Sequence, residues 1–154
     1  MRARARGPVS AWLLAALAAV AVVVALRESF LGMAFQWRSS STFSYGVLIL
    51  PITLFLLWRE RARLATVQPQ PAWPALLLML PVGAAWVLDM LLDVNVVHHF
   101  AAVLLVILAV WAVLGTPAAR VIWFPLAYLL LMVPFGEFLV PTLMQWTADF
   151  AVLA

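Results

Sequence analysis

Thr142, Gln145 and Asp149 recur three and four residues apart near the end of this sequence. On a helix that spacing stacks them along one face. Asp149 follows Glu137 by 12 residues, roughly 18 Å at ~1.5 Å rise per residue. If the segment crosses a bilayer from Glu137, Asp149 lies near its middle. A carboxylate there costs at least ~2.5–3.5 kcal/mol, so it should face a bundle or a wet cavity. A tilted or interfacial helix would instead leave Asp149 hydrated, and the spacing allows both readings.

Three other groups have residue types that do chemistry. Arg38, Ser39, Ser40, Ser41, Thr42, Ser44 and Tyr45 precede an apolar run. Hydroxyls in that position cap a helix N-terminus; otherwise they form the lip of an outward-facing site with Arg38 as its anion contact. Glu137 lies between Gly136 and Pro141, where an acid favours the positive end of a starting helix. Asp89 and Asp93 share a face if their helix extends that far, and His98 and His99 follow closely. Carboxylates with imidazoles can bind a metal. No HExxH-like spacing or further strong ligand supports that, so the expectation is a hydrated outer loop, with no metal and no cofactor. The candidate polar-cleft or structural residues are therefore Arg38, Thr42, Tyr45, Glu137, Thr142, Gln145 and Asp149.

Cysteine is absent from the 154 residues. That excludes disulfides, zinc–thiolate sites and a thiol nucleophile within them. The chain is 68% hydrophobic and 10% charged, against roughly 45–50% and about 25% in soluble domains. It therefore reads as an integral membrane protein in contact with lipid, and residues 1–154 as a single membrane domain. The net charge of +3 is spread over separate loops, which does not make a nucleic-acid face. Oligomeric state is not readable.

The elements that must position these residues are apolar segments at about Ala11–Leu26, Tyr45–Trp58, Trp73–Leu88, Phe100–Leu114, Val121–Val133 and Phe138–Ala154. The expected fold is an all-α polytopic bundle of about 5–6 transmembrane helices, a span needing ~20 residues. The fifth segment is the weakest and could be re-entrant. Pro51 should kink the second segment, and Pro81 could do the same in the third. Pro74 and Pro117 stand at helix starts.

Arginine placement sets the expected topology. Arg2, Arg4, Arg6, Arg59, Arg61, Arg63 and Arg120 fall on one side of such a bundle, and only Arg27 and Arg38 on the other. Basic loops stay cytoplasmic, so the N-terminus should be inside. Trp12, Trp58, Trp73, Trp111 and Trp123 lie near the same ends, as an interfacial aromatic belt does. Trp37 is expected in the first outer loop, and Trp86 in core packing. The first segment reads as a retained signal anchor, because Arg27-Glu28 follows it without a small-x-small cleavage site.

Several stretches resemble one family. Thr42-Phe43-Ser44-Tyr45-Gly46-Val47-Leu48-Ile49 leads through Pro51-Ile52 to Leu57-Trp58-Arg59-Glu60-Arg61. This is similar to the early motif of the exosortases, the EpsH-like membrane enzymes. Phe124-Pro125-Leu126-Ala127, Val133-Pro134-Phe135-Gly136-Glu137 and Pro141-Thr142-Leu143-Met144-Gln145-Trp146-Thr147-Ala148-Asp149-Phe150 extend the resemblance, which looks most like the exosortase A branch. It covers about Trp37 to Ala154, the middle helices matching mainly in hydropathy. Exosortases commonly carry His before the glycine of the early motif, where this chain has Tyr45, and no proton-transfer role is assigned to it.

The resemblance implies a multi-pass inner-membrane cysteine peptidase and transpeptidase of Gram-negative bacteria, with its active face in the periplasm. Its substrates would be exported proteins with a PEP-CTERM signal, often tied to exopolysaccharide production. The family's catalytic Cys, Arg and His lie in its second half, and no position here matches them. The resemblance thus implies the N-terminal half of such an enzyme, inactive by itself. Alternatives are a non-catalytic membrane assembly or export component, and a transporter fragment using Asp149 and the kinked second helix.

Overall fold

In a computed structural model, residues 8–39, 44–92, 95–133 and 139–153 are described, and side chains over 11–39, 44–89, 97–133 and 143–151. These residues are mostly helical, with no strand among them. The elements are α1 (Pro8–Ala25), α2 (Arg27–Ser39), α3 (Gly46–Arg59), α4 (Arg61–Ala65), α5 (Trp73–Leu92), α6 (Asn95–Leu114), α7 (Thr116–Val121), α8 (Trp123–Tyr128), a 3₁₀ turn (Leu129–Met132) and α9 (Leu139–Leu153).

Helix α6 is the axis of the bundle and packs against α1, α2, α5, α7 and the 3₁₀ turn. Ala101, Ala102, Ala109 and Ala112 are buried along it. Such small side chains let neighbouring backbones approach closely, which is how helices gain contact where lipid is as apolar as they are. At its C-terminal end Leu114 is buried with Ala11, Ala15, Leu64, Ala118 and Ile122. Toward its N-terminal end Ala102 and Leu105 are buried with Leu26. The pairs Ala11/Leu114 and Leu26/Ala102 make α1 and α6 antiparallel.

Of the described helices, α6 alone is long and apolar enough to cross a membrane by itself, over Val97–Leu114. Helices α1 and α2 pass together only as a pair bent by 80°. The apolar helices Gly46–Arg59, Trp73–Asp89 and Trp123–Met132 are shorter.

The structure corrects three expectations. The segment after Leu26 is helix α2 rather than an outer loop, and Trp37 sits on that helix. The chain turns where the Ser29 N–H reaches back only three residues to the Leu26 carbonyl, at 3.0 Å. The turn lets Arg27 and Glu28, both about three-quarters exposed, stay in a polar environment while Ser29 and Met33 are buried one helical turn on. The fifth segment is broken into α8 and the 3₁₀ turn, with α7 ending where it begins. Helix α6 starts at Asn95, so His98 and His99 stand on a helix rather than in a hydrated loop.

Pro51 and Pro81 lie inside α3 and α5. Pro51 cannot donate to the carbonyl four residues back. Two residues further on, the Thr53 hydroxyl donates to the Ile49 carbonyl at 2.8 Å, a local bond that tends to bend helices.

The end of α6 is closed by the return of residues 68–72. Gln70 N–H donates to the Leu114 carbonyl at 3.3 Å, Ala72 N–H to the Ala112 carbonyl at 3.0 Å, and Gly115 N–H to the Trp111 carbonyl at 2.8 Å. These satisfy carbonyls that a helix C-terminus leaves open. Gly115 has φ +88°, and an added Cβ would fall on the Gln70 carbonyl. Only glycine suits that turn.

Candidate functional site

At the opposite end, where α6 begins, three helices bring polar side chains together. Trp86 and Asp89 are three apart on α5 and share a face. His98 and His99 occupy the first turns of α6, and Ser29 the first turn of α2. Ser29, Asp89 and His99 are buried, at 1%, 4% and 6% exposure.

The bonds form a chain. Trp86 Nε1–H donates to Ser29 Oγ at 3.1 Å. Ser29 Oγ lies 2.7 Å from His98 Nε2, and His98 Nδ1 lies 3.2 Å from Asp89 Oδ2. With Nδ1 carrying the proton, the Ser29 hydroxyl donates to Nε2 and Nδ1–H donates to the carboxylate, so every member is used in the correct sense. The Trp86 ring stacks on His98 with centroids 5.2 Å apart, which fixes the imidazole plane. Gly32 gives His99 its room, since a Cβ there would come 3.1 Å from His99 Nε2. His99 Nδ1 is buried without a hydrogen-bond partner among the described residues.

Hydroxyl, imidazole and carboxylate stand here in the order of a serine-nucleophile triad, which is recognised by geometry rather than by sequence position. The environment argues against that chemistry. Ser29 is almost fully enclosed, and its oxygen is held by the Trp86 N–H. No carbonyl reaches it unless α2 parts from α5. What the arrangement does is tie α2 across the α5–α6 pair. Among the described residues no group of three or more His, Cys, Asp or Glu side chains could hold a metal ion.

The residues singled out by sequence do not gather here. Arg38 is exposed near the end of α2. Tyr45 is 42% exposed and lines a groove of about 360 Å³ with Leu48, Ile52 and Tyr128. Thr42 and Glu137 lie outside the described residues. Thr142 is on α9, but its side chain is not described; Gln145 and Asp149 are exposed on the same helix. Of the acid–histidine group, Asp93 also lies outside the described residues.

A second joint explains the early motif. The Trp37 indole lies directly over Gly46, leaving no space for a Cβ, and its Nε1–H donates to the Met132 carbonyl at 3.2 Å. One side chain thereby holds α2, the start of α3 and the end of the 3₁₀ turn. The profile of a family described as transmembrane exosortase matches residues 37–154, beginning at this tryptophan. The chain belongs to the transmembrane exosortase family. No curated protein and no solved structure matches it.

For an exosortase, the match and the apolar helix α6 make this a membrane protein, all-helical over its described residues. The Ser29–His98–Asp89 joint is only partly inside the matched region, since Ser29 precedes residue 37. Sequence reading missed Ser29 because it stands beside Arg27-Glu28 in a stretch of low apolar content. The signal that could have found it is the recurrence Ser29, Met33, Gln36, Trp37, an i, i+4, i+7, i+8 stripe on a helix.

Proposed function

We propose that this chain is the N-terminal membrane half of an exosortase-type cysteine peptidase and transpeptidase, of the exosortase A type. It acts on exported proteins bearing PEP-CTERM signals and serves a system tied to exopolysaccharide production. The observation that supports this most is the family match over residues 37–154 on a helical, apolar chain. The 154 residues hold no cysteine. Thiolate attack on a carbonyl needs a nucleophile with a base and a charge-stabilising cation. These come from residues beyond Ala154, and the part described supplies the scaffold.

The proposed setting is the bacterial inner membrane, crossed about 5–6 times, with the N-terminus in the cytoplasm. Helix α4, with Arg61 and Arg63, packs against α7, with Arg120. Arginines far apart in sequence thus share the C-terminal end of α6, and Arg27 begins α2 at the other end. Positive charge is retained inside, which supports an orientation with α2 and the Tyr45 groove toward the periplasm. A membrane-impermeant thiol reagent added from outside is expected to modify Ser40→Cys and spare Thr66→Cys. The reverse pattern would overturn the orientation.

The functional test is processing. Deleting the gene for this protein should leave a PEP-CTERM reporter at its precursor length, and restoring the gene should return the shorter product. Normal processing in the deletion strain would favour the second reading, a non-catalytic assembly or export component, which the missing cysteine also fits.

A further inference from the structure

The arginine-rich end carries a groove apart from the Ser29–His98–Asp89 joint. Its walls are Leu104 and Ile107 of α6 facing Leu126 and Leu130, and its volume is about 420 Å³, within the roughly 300–1,000 Å³ of small-ligand sites. From Leu104 to Trp111 on α6 it runs about 10 Å at ~1.5 Å per residue. The inner part is apolar. The outer part is lined by Trp111, Thr116, Arg120 and Trp123.

That rim consists of donors. Thr116 Oγ1 accepts from Trp111 Nε1–H at 3.2 Å, which leaves its own hydroxyl proton to give. Thr116 and Arg120 are four apart on α7 and share a face. Two nearby arginines are already engaged. Arg61 lies 3.9 Å over the Trp58 ring and donates to the Trp58 carbonyl, and Arg63 pairs with Glu60 at 3.2 Å. Arg120 has neither an ion pair nor a hydrogen bond among the described residues. An apolar slot ending in an uncompensated guanidinium, a hydroxyl and exposed indole matches one amphiphile, an acyl chain beneath a negatively charged phosphodiester.

We propose that this groove is a binding site for an anionic glycerophospholipid. One acyl chain lies between α6 and α8, and the phosphate is held by Arg120 and Thr116. The bound lipid fills the gap left where the fifth apolar segment breaks into short helices, and it anchors α7 at the membrane surface.

The test uses the full-length protein in mild detergent micelles. Phosphatidylglycerol or phosphatidylcholine with identical acyl chains is added, and retained lipid is counted by native mass spectrometry. Wild type should retain phosphatidylglycerol in preference. Arg120→Gln should reduce that preference about fivefold, the effect of one basic residue at an anionic surface. Ala119 also lines the groove, and Ala119→Trp, which places an indole in the slot, should lose retained lipid of either headgroup. Arg63→Gln, already paired and off the groove, should behave as wild type. Equal retention of both lipids by wild type would overturn the proposal. So would an Arg120→Gln protein indistinguishable from wild type, or an Arg63→Gln loss as large as that of Arg120→Gln.

Discussion

Gly115→Ala is expected to be among the most damaging single-methyl additions in this chain. Two effects combine. A residue with a Cβ at φ +88° carries backbone strain of about 1–3 kcal/mol. The new methyl would also collide with the Gln70 carbonyl, which is backbone and cannot rotate away. Moving residue 70 breaks the bonds from Gln70 and Ala72 to the end of α6, each contributing on the order of 1 kcal/mol. The sum is about 3 kcal/mol or more, enough to release the return from α4 to α5. Gly83→Ala provides the contrast. It lies inside α5, and nothing stands within 4 Å of its added Cβ. It should be neutral, or gain up to about 1 kcal/mol from helix propensity. The fraction of protein that stays folded through a heat step in detergent separates the two. Equal survival of both variants would refute this view of the turn.

Asp89→Leu is the second large effect. It removes the carboxylate from His98 and leaves a half-buried imidazole facing an apolar side chain. Losing the hydrogen bond from His98 Nδ1–H to a buried carboxylate costs about 1.5–3 kcal/mol, because the N–H is left without its partner. Ser29→Ala should cost a similar amount, about 1–3 kcal/mol, by leaving the Trp86 N–H and His98 Nε2 unsatisfied. The double variant Asp89→Leu, His98→Leu should recover part of the loss, since replacing both partners of a buried hydrogen bond by apolar groups of similar shape can be nearly neutral. The same heat step measures all three, together with the His98→Leu single variant. A double variant whose loss equals the sum of its single losses would show that Asp89 and His98 are not coupled.

The sequence made the helical class, the apolar segments and the arginine asymmetry legible, because each depends on local composition. Pro74 and Pro117 stand in the first turns of α5 and α7, where a missing N–H costs nothing. What hydropathy hid was where polar residues turn inward. Asp89, His98 and His99 lower any window average, so they read as a wet loop. Only the packing of α2 across α5 and α6 satisfies them and makes burial affordable. Helix α2 was hidden for the same reason. The role of Gly46 was equally invisible, because nothing local says that Trp37, nine residues earlier, will lie on it.

We propose that this scaffold without a thiol belongs to a thiol peptidase. This is tested most directly by reading the coding DNA that follows the codon for Ala154. An open frame carrying a cysteine in a Cys-Ser-Gly segment, followed by Arg and His near the ends of later apolar segments, is the predicted result. An immediate stop codon would contradict it, and the protein would then be a non-catalytic member built on the same helices.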